Sequence, residues 1–287
     1  MAINTISLTM GIRKNLFNLM ETSELMEQTS RRLGTGNKVN NALDDPVNFF
    51  AAQGHLQRAS DLAGRKDEMG EAVQLVNAAN NGIEAITILI ESARSLAQSA
   101  LSADTTTDVN LLGEQFNTIL SQIDTMAADS GYKGINLLNG TTESLTVRFD
   151  ETGIESNLTL QGFNATSGST GSGLGISAAL TGTGGAWTNI DVPDVGMINT
   201  ALEDLDNARS TLRAETKKLA ANLSTITARQ DFTQKMINTL TDGAAELTLA
   251  DMNEEGANML MLQTRQALGT TSLSIASQAA QSVLRLF

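Results

Sequence analysis

Residues 62–100, LAGRKDEMGEAVQLVNAANNGIEAITILIESARSLAQSA, decide the fold. Leu62, Met69, Ala72, Val76, Ala79, Ile83, Ile86, Ile90, Ala93, Ala97 and Ala100 follow one another in steps of three and four, with one polar interruption at Arg65. That is the spacing of a coiled-coil seam on a long helix. Asp45 followed by Pro46 reads as an N-cap and first helical residue. From Pro46 to Leu101 there is no second Pro, and the only glycines are Gly54, Gly64, Gly70 and Gly82. A helix over this span would be about 80 Å long, whereas a compact domain of this chain length has a radius of gyration of only about 19 Å. The sequence therefore predicts a rod.

The same spacing recurs on both sides of the long tract. Val109, Leu112, Phe116, Ile119, Ile123 and Met126 make a second seam; Ile198, Leu202, Leu205, Leu212, Leu219, Leu223 and Ile226 make a third. Toward the N-terminus the stripe is weaker, with Ile12, Leu16, Leu19, Met26 and Leu33 interleaved by Ser23 and Ser30. Toward the C-terminus it runs Met259, Leu262, Leu273, Ala276, Ala280, Val283 and Phe287, interrupted by Gln266 and Gly269. Gly34 and Gly36 would close the first helix through a left-handed cap. Residues 140–196 differ in kind, being rich in Gly, Ser and Thr. Leu145, Val147 and Phe149 alternate there, as do Leu158 and Leu160, and DETG at 150–153 between them reads as the turn of a small β-hairpin. NATSGSTGSGLG, 164–175, reads as a surface loop. The predicted fold is mainly α: long antiparallel coiled-coil helices forming a rod, with a small insert that contains a β-hairpin. Its segments are 1–45, 46–140, 141–195, 196–246 and 247–287.

Composition narrows the function. The chain has 287 residues and a formal net charge of −13. Residues 1–20 carry +2 (Arg13, Lys14) and 256–287 carry +2 (Arg265, Arg285), so the middle carries −17. Such a field repels phosphates and disfavours nucleic acid as a partner. There is no cysteine, which excludes disulfides and thiolate metal sites. The start, MAINTISLTMGIRKNLFNLM, has no signal-peptide pattern, and the uncharged run Gln266–Leu284 is too polar for membrane insertion. His55 is the single histidine and cannot by itself form a triad or a metal cluster. GSTGSGLG, 168–175, lacks the Lys and Ser/Thr of a phosphate-binding loop. Asp44, Asp45, Asp251, Glu254 and Glu255 are read as helix-capping and solvated first-turn acids. No cofactor and no catalytic residue are expected.

The sequence instead offers unpaired seam at both ends. Ordering a residue costs roughly 1–2 kcal/mol, and the narrow stripe of 256–287 cannot offset that against one partner helix of similar composition. The ends are expected to order when many copies assemble, with Leu16, Leu19 and Leu33 at one end and Leu273, Ala276, Ala280, Val283 and Phe287 at the other in the assembly seam.

Three stretches carry a family resemblance. SRRLGTGNKVNNALDDPVNFFAAQGHLQRASDL, 30–62, resembles the N-terminal region of bacterial flagellins; SGYKGINLLNG, 130–140, resembles their segment before the variable region. LTLADMNEEGANMLMLQTRQALGTTSLSIASQAAQSVLRLF, 247–287, resembles their C-terminus. The resemblance implies a subunit that self-assembles with many copies of itself into the extracellular flagellar filament. It also implies export through a type III apparatus, a chaperone on the C-terminal segment, and contacts with the filament cap and the hook–filament junction proteins. A junction protein with related terminal helices is the alternative reading. Where many flagellins carry the sequence Gln-Arg-Val-Arg-Glu-Leu-Ala, this chain has Glu91, Ser92, Ala93, Arg94, Ser95, Leu96 and Ala97, which implies a weakened contact with the host immune receptor at Ser92 and Arg94.

Overall fold

A computed structural model describes residues 10–150, 156–168, 173–179, 187–189 and 192–284. Five helices dominate: α1 (Met10–Thr35), α2 (Pro46–Leu101), α3 (Thr106–Asp129), α4 (Val195–Thr248) and α5 (Met252–Leu284). The strands are β1 (Ser144–Arg148), β2 (Asn157–Gln161), β3 (Thr188–Asn189) and β4 (Val192–Pro193). The mainly α expectation with a small hairpin-bearing insert therefore holds. The chain divides into two compact units, residues 1–59 with 238–287, and residues 60–237.

Local chemistry sets the helix ends. Pro46 opens α2, and the Asp45 carboxylate accepts from the Asn48 amide at 3.0 Å, satisfying one orphan donor of the first turn. Thr105 caps α3 by accepting from the Asp108 amide at 3.2 Å and donating to the Asp108 carboxylate at 2.6 Å. Asp251 caps α5 through the amides of Asn253 and Glu254. Gly36, at φ +73°, ends α1 by donating its amide to Arg32 O at 2.8 Å. That positive φ costs glycine little.

In the unit of residues 60–237, one apolar core joins α2, α3 and α4. Met69, Val76, Ile83, Ile86, Ile90, Phe116, Ile123, Leu205, Leu212 and Leu219 are all buried in it. Cross-links between α2 and α4 fix an antiparallel register in which residue numbers sum to 300: Lys66 donates to Gln234 at 2.7 Å, Arg209 to Glu91 at 2.7 Å, and Arg94 to Asp206. At Gly82, α2 lies close against the end of α3; a Cβ there would run into Ser130 Oγ and lie 2.7 Å from Leu138 Cδ1.

β1 and β2 pair antiparallel, Leu145 with Leu160 and Val147 with Leu158. Val147 and Leu160 point into the core. The DETG turn between the strands lies, from Glu151 on, outside the described residues, as does part of the 164–175 loop. The rest of the insert is pinned to α3 by three side chains at heptad spacing. Asn110 accepts from Thr188 Oγ1 at 3.3 Å, Asn117 bonds the Ala179 peptide, and Asp124 accepts from the Ser167 amide at 2.6 Å. Trp187, buried, packs on Phe116 with ring centroids 4.8 Å apart.

Candidate functional site

Among the described residues no group of three or more His, Asp or Glu could hold a metal, and no helix is long and apolar enough to cross a membrane. The terminal helices are among the surfaces that keep large apolar side chains exposed. Within the unit of residues 1–59 and 238–287, α1 and α5 run antiparallel with residue numbers summing to 287 or 288. Asn15 donates to Ser272 at 3.2 Å, Leu19 packs against Gly269, and Arg32 pairs with Glu255 at 2.8 Å. Glu255 is buried, so it is an ion-pair partner of α1 and not a solvated first-turn acid.

The connections at the closed end are equally specific. Lys38 N donates to Thr248 O at 2.7 Å and Ala250 N to Gly36 O at 2.9 Å, so the loop after α1 crosses the short link between α4 and α5 as a two-chain bridge.

The face that α1 turns to α5 is built from Asn15, Leu19, Thr22, Met26, Thr29 and Leu33, which are buried or half-buried. Small polar residues let the pair approach closely, and Leu16 is left exposed. On α5 the less exposed face is Glu255, Met259, Leu262, Gln266, Gly269, Leu273 and Ala276. The side chains of Ala280 and Val283, and the whole of Phe287, lie outside the described residues. Away from this seam the pair presents large apolar side chains to water: Phe17 is 70% exposed, Met20 61%, Leu260 67%, Leu268 66% and Ile275 62%. Apolar exposure on this scale marks an interaction surface.

Three hydroxyls of α5 do not oppose its burial. Thr264 bonds back to Leu260 O, Thr271 to Ala267 O and Ser282 to Ala279 O. Their donors are satisfied within the helix, so a partner covering them strands no hydroxyl proton.

In the other unit, Leu112 and Ile119 are half-buried against the core. Ser92 is exposed and bonds back to Ile88 O at 3.2 Å. Arg94 is held by Asp206, which Arg209 also contacts at 3.2 Å. Between α2, β1 and the 130–135 turn lies a cavity of about 350 Å³ with an apolar floor of Leu75, Ile135, Leu145 and Val147. At its rim Glu71 accepts from Lys133 at 2.8 Å and from the Tyr132 hydroxyl at 3.0 Å. Those bonds, Lys133 first, hold the Glu71 carboxyl below its ordinary value. The hydrogen bond to Glu71 raises both Tyr132 and Lys133. Lys133, at φ +50°, and Gly134, at φ +82°, form the tight turn that aims both groups at Glu71.

Sequence reading missed this cavity and the Asn110, Asn117, Asp124 ladder. The ladder had one visible signal, polar residues spaced by seven on α3, each directly after an apolar seam residue: Val109, Phe116 and Ile123.

The bacterial flagellin N-terminal helical region matches residues 3–143 and the bacterial flagellin C-terminal helical region matches residues 195–287. The chain is 29% identical to flagellin FljM of Caulobacter vibrioides over the whole of both chains. It is 27% identical to a flagellin of Brucella melitensis over 95% of each. A crystal structure of Bacillus cereus flagellin aligns with 58% of this chain and 88% of that one, at 18% identity and a TM-score of 0.46.

Proposed function

The chain belongs to the bacterial flagellin family, a family of structural proteins, and from that premise we propose how its surfaces build a filament. It is a structural subunit that polymerises into the flagellar filament. The observation that carries the mechanism is the exposed apolar face of the α1 and α5 pair, from Phe17 and Met20 to Leu268 and Ile275. Neighbouring copies cover that face, and the two terminal helices, segments 1–45 and 247–287, gain their fixed order on polymerisation. Leu16, Leu19, Leu33, Leu273, Ala276, Ala280, Val283 and Phe287 belong to this assembly seam. The seam of 46–140 and 196–246, from Val76 to Leu219, supplies the stiff body, and 141–195 faces solvent.

The apolar face also supports the finer partners: a chaperone that shields the C-terminal segment, a type III apparatus that exports the chain to the extracellular side, and cap and junction proteins that meet it there. The filament role needs no catalysis and no cofactor. At the immune-receptor stretch, Arg94 spends its charge on Asp206 and Ser92 offers no cation, which supports a weakened receptor contact; full potency in a reporter-cell assay would contradict it.

Removing residues 272–287 tests the mechanism. The shortened chain is expected to melt cooperatively with helical circular dichroism yet stay in the supernatant when seeded. If it pellets like the full chain, α5 is not the seam.

A further inference from the structure

Two surfaces of the described chain lack a partner and are complementary, and we propose that the ridge Leu43, Val47, Phe50 of one copy inserts into the cavity beneath β1 of the next copy. The inference rests on the filament reading and names one of its contacts. Leu43 is 95% exposed, Val47 76% and Phe50 66%. Val47 and Phe50, three residues apart, lie on one side of the first turns of α2, and Leu43 stands in the turn just before Pro46.

The ridge is rigid. The Asp44 carboxylate accepts from the amides of Asn40 and Asn41 at 2.9 and 3.2 Å, and Asn41 Oδ1 accepts from the amides of Leu43 and Asp44 at 2.8 and 3.2 Å. Phe49 lies edge-on to Phe50 at 5.6 Å. A loop held by four such bonds with its leucine in water is preorganised for insertion and loses little further freedom on docking.

The cavity fits in size and charge. A cavity of roughly 150 Å³ takes one benzene-sized group, so about 350 Å³ floored by Leu75, Ile135, Leu145 and Val147 has room for two apolar side chains. Glu68 and Glu71 at its edge are already matched by Arg65 and Lys133. Arg148, on the same edge, has no carboxylate partner among the described residues. The ridge brings Asp44 and Asp45 beside it. Because ridge and cavity are different patches of one chain, each copy offers one of each. Such a heterologous contact propagates from copy to copy.

The chain has no cysteine, so an engineered pair reports this contact without background. Filaments of the double variant Leu43→Cys, Thr146→Cys are oxidised and run on a non-reducing gel; Thr146 is exposed at the cavity mouth. A disulfide needs Cα atoms within about 7 Å. The expected result is a ladder of dimers, trimers and higher species that collapses on reduction, while neither single variant goes beyond a dimer. Filaments that remain monomeric on the gel would overturn the contact, as would a Leu43→Cys single variant that dimerises as fully as the double. Should the double variant not polymerise, a tagged Leu43→Cys chain and an untagged Thr146→Cys chain are copolymerised with the parent chain. A mixed dimer then supports the contact, and its absence overturns it. Failure of the parent chain itself to form filaments would instead strike the filament reading.

Discussion

Asn117 bonds both backbone groups of Ala179: its Oδ1 accepts from Ala179 N at 2.8 Å while its Nδ2 donates to Ala179 O. Ala179 is buried, so water cannot replace these bonds without opening the insert. Asn117→Leu should cost on the order of 1–3 kcal/mol, the penalty of stranding buried backbone groups. Trp187, the only tryptophan, packs on Phe116 beside this grip and reports it. Its fluorescence should shift to the red while far-ultraviolet circular dichroism stays helical; unchanged emission would place the grip elsewhere.

Two glycines of α2 should respond in opposite directions to the same change. Gly82→Ala drives a Cβ into Ser130 and Leu138 and should destabilise by about 1–3 kcal/mol. Gly64→Ala meets nothing within 4 Å and should stabilise by roughly 0.5–1 kcal/mol. Thermal melting of both variants checks the close approach of α2 and the end of α3.

The apolar positions divide by what covers them. Ile86 is fully buried, and Ile86→Asp leaves an unpaired charge in the core, which should abolish cooperative melting. Ile119→Asp, at a half-buried position, should lower the melting temperature without abolishing the transition. Phe17→Asp and Leu268→Asp, on the exposed face, should leave monomer melting unchanged and prevent pelleting after seeding. Normal polymerisation of both would contradict the assembly face.

The Glu71, Tyr132, Lys133 cluster predicts a pH window. Glu71 is lowered, so its contribution is complete above the ordinary carboxylate value and is lost as pH falls through the lowered one. Tyr132 and Lys133 are raised, so theirs is complete below the ordinary values and is lost as pH rises through the raised ones. The 130–135 turn is thus tethered between these limits and loosened beyond both. Tyr132 is the only tyrosine, so phenolate absorbance reads its titration directly. It should titrate above an ordinary tyrosine and fall back in Glu71→Gln; no change on that substitution would refute the hydrogen bond.

The helices were legible because a seam repeats. Met69 to Ala100 and Phe116 to Ile123 declare their buried face many times over, and Pro46 and Gly36 punctuate them. The hairpin was legible from Val147 and Leu160 for the same reason of period. Asn110, Asn117 and Asp124 were not, since polar residues on a helix ordinarily face solvent and only the backbone they grip gives them meaning. The turn at Lys133 was hidden as well, because its positive φ is rare outside Gly, Asn and Asp. Leu16 shows the limit of stripe reading: the seam passes through it, yet a single neighbouring helix packs on Asn15, Thr22 and Thr29 and leaves it exposed.

The central claim, that copies of this chain bury one another's terminal apolar faces, is tested most directly by electron microscopy of the purified protein seeded with its own sheared fragments. Long filaments growing from the seeds are the predicted result. Protein that remains monomeric at high concentration, with seeds that do not lengthen, would contradict it.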